Sequence, residues 1–243
     1  MPFTFSHPAA ILPVTLLPKK YYSLTGLVVG SIAPDFTYFI RVHTENLYGH
    51  TIHGLFLFDL PMGLLIALAY HQLVRNSLSD YAPGWIRSRI IPFKKFDWLQ
   101  YQSANWIIVI ISVLFGSATH LLWDSFTHEN GYFVHIFHFL QKGINAFGFN
   151  MQLCKILQYL STVFGGLVIV AAFLHLPEYK IPVKRGVNFY WFIFVIITLI
   201  IITIHISLKP GNIYWHDFII TAITGILLGL MITPLVMKSK VFE

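Results

Sequence analysis

The chain has 243 residues, 56% of them hydrophobic and 11% charged, and its mean hydropathy is +0.68. About a quarter of a soluble domain's residues are charged, so this chain lacks the charge to cover a water-facing surface, and lipid must be its solvent, with no separate soluble domain. The net charge of +6 reflects membrane topology rather than nucleic acid, and the single cysteine, Cys154, excludes an internal disulfide and a thiolate metal cluster.

In chain order, residues 8–18 are apolar but short. As an α-helix they would rise about 16 Å, half a bilayer. Lys19 and Lys20 follow, and residues 21–40 are long enough to return across the membrane. The pattern predicts an N-terminal helical hairpin whose first arm is re-entrant or interfacial. Its second arm carries Pro34-Asp35; the proline breaks the helix and aims the carboxylate. Asp35 reads either as a metal ligand or as the N-cap of a short helix.

Five spans follow by length and apolarity, at about 53–74, 104–123, 156–176, 189–208 and 217–237. The expected fold is all-α, a polytopic membrane helix bundle. Residues 1–175 would form the metal-site part and 176–243 the C-terminal helices of the same bundle. The last span holds Gly225-x-x-x-Gly229, a small-residue helix contact. With the 75–103 loop inside, twelve of the sixteen Lys and Arg fall on the cytoplasmic side, which also places the C-terminus there. His7, residues 35–53 and residues 120–128 then converge at the non-cytoplasmic end.

The second span ends in Thr119-His120-Leu121-Leu122-Trp123-Asp124-Ser125-Phe126-Thr127-His128. Residues four apart on a helix share a face, so His120, Asp124 and His128 form one stripe. Neighbours on it can hold one ion. His120 and His128 are about 12 Å apart in rise, too far for one ion on a continuous helix. If all three are ligands, the site is multinuclear and Asp124 bridges. Asn130-Gly131 is the expected C-cap, with His128 in the last turn. The bland alternative is interfacial polar residues at a helix end. His50 and His53 stand three apart just outside the first span, and either could ligate. Asp59, deeper in that span, is a candidate orienter.

Several stretches together resemble an uncharacterised bacterial membrane-protein family. They are Pro2-Phe3-Thr4-Phe5-Ser6-His7-Pro8-Ala9, Gly30-Ser31-Ile32-Ala33-Pro34-Asp35-Phe36-Thr37-Tyr38-Phe39, Gly49-His50-Thr51, Leu57-Phe58-Asp59-Leu60-Pro61-Met62-Gly63, the Thr119 to His128 run and Leu157-Gln158-Tyr159-Leu160-Ser161. The match covers the chain to about residue 175. That family is more distantly similar to inner-membrane metal-dependent hydrolases, which carry an early His, a Pro-Asp, a Thr-His-Ser and a Ser-His-x-x-x-Asp. These fall on His7, Asp35, His50 and the His120/Asp124 pair, and rank His50 above His53. The His-Arg that the relatives carry upstream of Thr-His-Ser has no equivalent here. The helix-borne His and Asp also look like the zinc phospholipase C and nuclease superfamily.

The resemblance implies a metal-dependent hydrolase of the bacterial inner membrane, using a divalent metal, zinc by preference. The expected ligands are His7, Asp35, His50, His53, His120, Asp124 and His128, with Asp124 and Asp59 as candidate general bases. The expected substrate is a phosphoester or lipid-linked molecule at the non-cytoplasmic face, with membrane lipid as partner and no nucleic acid. The alternative is a non-catalytic transporter or assembly factor whose polar cluster binds an ion, or a haem through helix-borne histidines such as His120 and His205.

Overall fold

A computed structural model describes residues 3–41, 49–146, 148–181, 184–208 and 214–239. It is helical almost throughout. Five helical stretches are long and apolar enough to cross a membrane: Ile52–Tyr81, Trp106–Ile136, Leu153–Leu174, Val187–Leu208 and Asp217–Lys238. They match the five spans expected from apolarity.

The first arm departs from expectation. Thr4–Leu16 is a 3₁₀ helix, not an α-helix, with Pro8 and Pro13 inside it. Each proline lacks the N–H that an α-helical turn requires. At about 2.0 Å per residue the 13-residue arm reaches about 26 Å, beyond the roughly 20 Å the same residues would span as an α-helix. The turn falls at Lys19–Tyr21, as the lysine pair predicts. The return arm is broken: α1 (Leu24–Ile32) passes through a 3₁₀ turn at Ala33–Asp35 into α2 (Phe36–Arg41). Ser23 caps α1, its side chain accepting from the Gly26 N–H.

The next helix, α3, runs over Ile52–Tyr81 and widens into π-helical turns at Leu55–Asp59 and Tyr70–Val74. The first lies beside Pro61, which cannot donate to the Leu57 carbonyl. The basic stretch expected as a loop is largely helical, with α4 (Gly84–Ile90) and α5 (Trp98–Ala104). Then come α6 (Trp106–Thr127), the short α7 (Tyr132–Ile136), an antiparallel hairpin of β1 (Gly143–Ala146) and β2 (Phe149–Gln152), and α8 (Leu153–Leu174). The hairpin had no counterpart in the sequence reading. The last helices are α9 (Val187–Leu208) and α10 (Trp215–Ser239).

Two compact units are present. The first comprises Met1–Asp35, Leu47–Leu64 and Gln102–His175. In it α1 packs on α6, and the 3₁₀ arm packs on α8, α1 and α6. A methyl group at Gly30 would collide with the Val113 backbone, and one at Gly116 with the Leu27 carbonyl. The two helices therefore cross backbone to backbone, and Ser117 Oγ donates to the Gly30 carbonyl at 3.0 Å. The buried face of α6 is Val109, Ser112, Val113, Gly116, Ser117, His120, Asp124 and Thr127, a 3.6-period stripe that is small and polar. Large apolar side chains such as Phe115, Leu122 and Phe164 face outward. This arrangement, polar and small inside and apolar outside, suits a lipid solvent.

The second unit comprises Phe36–Asn46, Leu65–Tyr101 and Leu176–Glu243. Here α9 packs on α10. Gly225 and Gly229 of α10 lie against Ile202, Thr198 and Phe194 of α9, so the small-residue pair does form a helix contact. His205 Nδ1 is 2.9 Å from Thr221 Oγ1.

Candidate metal centre

Four segments of the first unit deliver the site. The 3₁₀ arm supplies Thr4 and His7, and its start is tied to α8. Ser6 Oγ donates to the Thr162 carbonyl at 3.2 Å, and a methyl at Gly165 would touch Ser6 Cβ at 2.9 Å. The 3₁₀ turn at Ala33–Asp35 supplies Asp35. The residue ahead of α3 supplies His50, and the buried face of α6 supplies His120 and Asp124.

The two carboxylates and two imidazoles interleave. His50 Nε2 stands 3.1 Å from Asp124 Oδ2 and 3.6 Å from Asp35 Oδ1. His120 Nε2 stands 3.3 Å from Asp124 Oδ2 and 3.5 Å from Asp35 Oδ1. One ligand atom from each of Asp35, His50, His120 and Asp124 lies within 4.8 Å of every other. Donors held about 2.0–2.1 Å from a tetrahedral ion stand about 3.4 Å apart. The four N···O separations cluster there, and three of them exceed the usual range of an N–H···O hydrogen bond. The residues fit a metal ion.

Burial strengthens that fit. Asp35 and His120 are 1% and 0% exposed. Among the described residues, no Lys or Arg pairs with either carboxylate; imidazoles and the Thr4 hydroxyl face them. Two buried carboxylates at this spacing are costly without a compensating cation. The surrounding groups are oriented as a metal site needs. His120 donates its Nδ1–H to the Ser31 carbonyl at 2.7 Å, which leaves the Nε2 lone pair facing the carboxylates. Asp35 Oδ2 accepts from Thr4 Oγ1 at 2.6 Å, which turns Oδ1 to the imidazoles. His120 Nε2, His7 Nε2 and Asp124 Oδ1 are buried with no hydrogen-bond partner among the described residues.

His7 and His128 reach the same cluster from the other side of Asp124. The His7 ring stacks on His120 with centroids 3.7 Å apart, and its Nε2 is 3.6 Å from Asp124 Oδ1. His128 is not in the last helical turn. The helix ends at Thr127, and His128 is extended at φ −104°, ψ 141°. Gly131 does not take the left-handed cap conformation either, with φ −71°. It turns back where a Cβ would strike the Ser125 carbonyl. The 12 Å rise therefore does not apply: the His128 ring folds back, with Nδ1 3.5 Å from Asp124 Oδ1.

His53 is not brought to the cluster. Thr51 caps α3, accepting from the Gly54 N–H at 2.9 Å, so His50 precedes the helix while His53 sits exposed in its first turn. Three apart in sequence, the two do not share a helical face. Asp59 is 0% exposed, and neither carboxyl oxygen has a hydrogen-bond partner among the described residues. It lies within electrostatic reach of His120 and Asp35 but outside the converging four. The sequence reading missed Thr4, the Ser31 carbonyl and Gln158, whose Nε2 is 3.3 Å from His128 Nε2. Thr4 alone carried a signal, standing one 3₁₀ turn from His7.

Residues 1–235 match a protein family described as a domain of unknown function, DUF4184. The chain belongs to that family. Its pattern runs through the C-terminal helices, beyond the residue 175 at which the resemblance read from the sequence stopped. No curated protein and no solved structure matches the chain.

Proposed function

We propose that this DUF4184 protein is a metal-dependent hydrolase of the bacterial inner membrane that cleaves a phosphoester carried by a membrane lipid at the non-cytoplasmic face. The observation that carries this reading is the set of four ligand atoms, from three separate segments, spaced as the edges of one coordination polyhedron in a buried site. Two imidazoles and two carboxylates suit zinc. A divalent cation bound there lowers the pKa of water and polarises a phosphoryl oxygen.

The chain's own residues hold, orient and admit. Thr4 and Ser31 fix Asp35 and His120. His50, with a quarter of its side chain exposed, stands where a head group enters. A cavity of about 240 Å³ borders His7 and is otherwise lined mainly by Ala9, Ala10, Trp123, Phe164 and Val168. Its apolar walls, among helices long enough to cross a membrane, fit an acyl chain whose phosphate reaches the cluster. Hydrolysis there forms a bond from water oxygen to phosphorus, breaks the bond from phosphorus to the lipid alcohol, and returns a proton to the leaving oxygen. Asp124 faces imidazoles through both oxygens, so it serves as a ligand, and Asp59 is the remaining carboxyl able to carry protons.

Haem is a poorer fit, because His120 Nε2 faces two carboxylates and its ring face is covered by His7. The test is metal analysis of purified protein, followed by release of water-soluble phosphate or phosphate monoester from mixed phospholipid vesicles, wild type beside His120→Ala and Asp124→Ala. Stoichiometric metal and cleavage in wild type, both lost in the variants, is expected. Absence of metal sinks the reading, and metal without cleavage assigns the site to structure or transport.

A further inference from the structure

Asp124 divides its two oxygens between two sets of imidazoles. Oδ2 faces His50 at 3.1 Å and His120 at 3.3 Å. Oδ1 faces His7 at 3.6 Å and His128 at 3.5 Å. The first set closes with Asp35 into the site already described. The second set is left over, and its two N···O separations fall in the same range as those of the first.

We infer that a second divalent cation binds between His7 Nε2, Asp124 Oδ1 and His128 Nδ1, with the Asp124 carboxylate bridging it to the first. The inference rests on the metal-centre reading above. Two observations point to an ion. His7 Nε2 and Asp124 Oδ1 face one another with no hydrogen-bond partner for either among the described residues, on side chains only 2% and 7% exposed. A buried nitrogen and carboxylate oxygen left this way are costly unless something between them accepts both lone pairs.

The second observation is the ring stack. His7 and His120 lie nearly parallel, 20° apart in plane and 3.7 Å apart in centroid, and each aims Nε2 at a different oxygen of the same carboxylate. Two-metal sites hold their ions about 3.5–4 Å apart. The stack therefore sets two imidazoles side by side, each offering its Nε2 to a different oxygen of one carboxylate, as a carboxylate-bridged pair of ions requires.

His128 completes the set because it leaves the helix. Its ring folds back until Nδ1 reaches Oδ1, while Nδ1 also lies 3.2 Å from the Asp124 backbone carbonyl, a contact given up when it ligates. The far nitrogen, Nε2, meets the Gln158 side-chain amide at 3.3 Å. There the amide nitrogen donates to Nε2, so ligation through Nδ1 goes with a flip of the amide, whose oxygen then accepts the Nε2–H. The His128 side chain is 32% exposed, so the fourth position of this ion is open to water or a substrate oxygen. His7 also lines the apolar cavity, which puts this ion at the end nearer an acyl chain.

The experiment is elemental analysis of the detergent-purified full chain, with wild type beside His7→Gln and His128→Gln, and thermal unfolding of each as a check on folding. The manganese-loaded forms are then examined by electron paramagnetic resonance. Wild type is expected to hold two ions per chain, with the spectrum of an exchange-coupled manganese pair. Both variants are expected to hold one, with the spectrum of an isolated ion and a cooperative unfolding transition. A wild type with one ion, unchanged in both variants, overturns the second site and leaves the first standing. Wild type with no ion overturns the metal reading itself. Two ions retained in His7→Gln, or both lost from two variants that still unfold cooperatively, also overturn the inference.

Discussion

Thr4 shows how a residue with no metal-binding chemistry governs the site. Its hydroxyl donates to Asp35 Oδ2 at 2.6 Å, the short distance of a bond to a carboxylate. Thr4→Val keeps the shape and removes the donor, so Asp35 is free to rotate. Outer contacts of this kind change metal affinity by about 10- to 100-fold. A loss in that range, with unfolding little changed, is expected in chelator competition against wild type. Asp59 makes the opposite case. A buried carboxyl with both oxygens unpartnered costs about 1–3 kcal/mol, so Asp59→Leu is expected to hold or raise the melting temperature and keep the metal content. If Asp59 carries protons, phosphoester cleavage falls in Asp59→Leu despite intact metal. Unchanged cleavage would remove Asp59 from the mechanism. Legibility divides the same way among residues. His120 and Asp124 were readable because helical period puts them on one face, and Asp35 because proline precedes it. Thr4 was not read, since a hydroxyl has many uses, and Ser31 acts through a backbone carbonyl that no sequence pattern marks.

At the scale of elements, the site depends on how closely α1 approaches α6. The Ser31 carbonyl reaches His120 only because Gly30 and Gly116 let the two backbones meet. Gly116→Leu would drive a side chain into the Leu27 carbonyl and separate the helices. Overpacking of this kind costs about 1–3 kcal/mol, and the expected result is a lower melting temperature together with lost metal. Gly166 is the internal control. A Cβ there meets nothing within 4 Å, so Gly166→Ala is expected to be neutral or to stabilise α8 by up to about 1 kcal/mol. Equal destabilisation by both substitutions would refute close helix approach as the cause. Element existence was legible from apolar length, whereas element type failed where prolines intervened. Pro8 and Pro13 made the first arm a 3₁₀ helix, and that longer reach is what carries His7 into the cluster. The end of α6 failed for a related reason. Asn130-Gly131 looks like a helix stop, but the chain had already turned at His128, and that early turn folds the ring back onto Asp124.

For the whole molecule, the metal and the fold are expected to be one thermodynamic system. Asp35, His120 and Asp124 are buried together, and the unfolded chain does not bring them to one place. An ion that binds only the folded form stabilises it by RT ln(1 + [L]/Kd), about 4 kcal/mol at a thousandfold excess over Kd. Stripping the protein with a chelator is therefore expected to lower its melting temperature, and adding zinc back to restore it. Acid should act in the same direction, because ligation needs neutral imidazoles and ionised carboxylates, so protons compete with the ion as pH falls. The two treatments separate by their remedy. Excess zinc should offset a mild fall in pH by mass action, and it should offset the chelator once it exceeds the chelator's capacity. A melting temperature that ignores both chelator and zinc would mean that the buried carboxylates are balanced by protonated imidazole alone, and that the coordination-like spacing of the four side chains is a hydrogen-bonded cluster and not a metal centre.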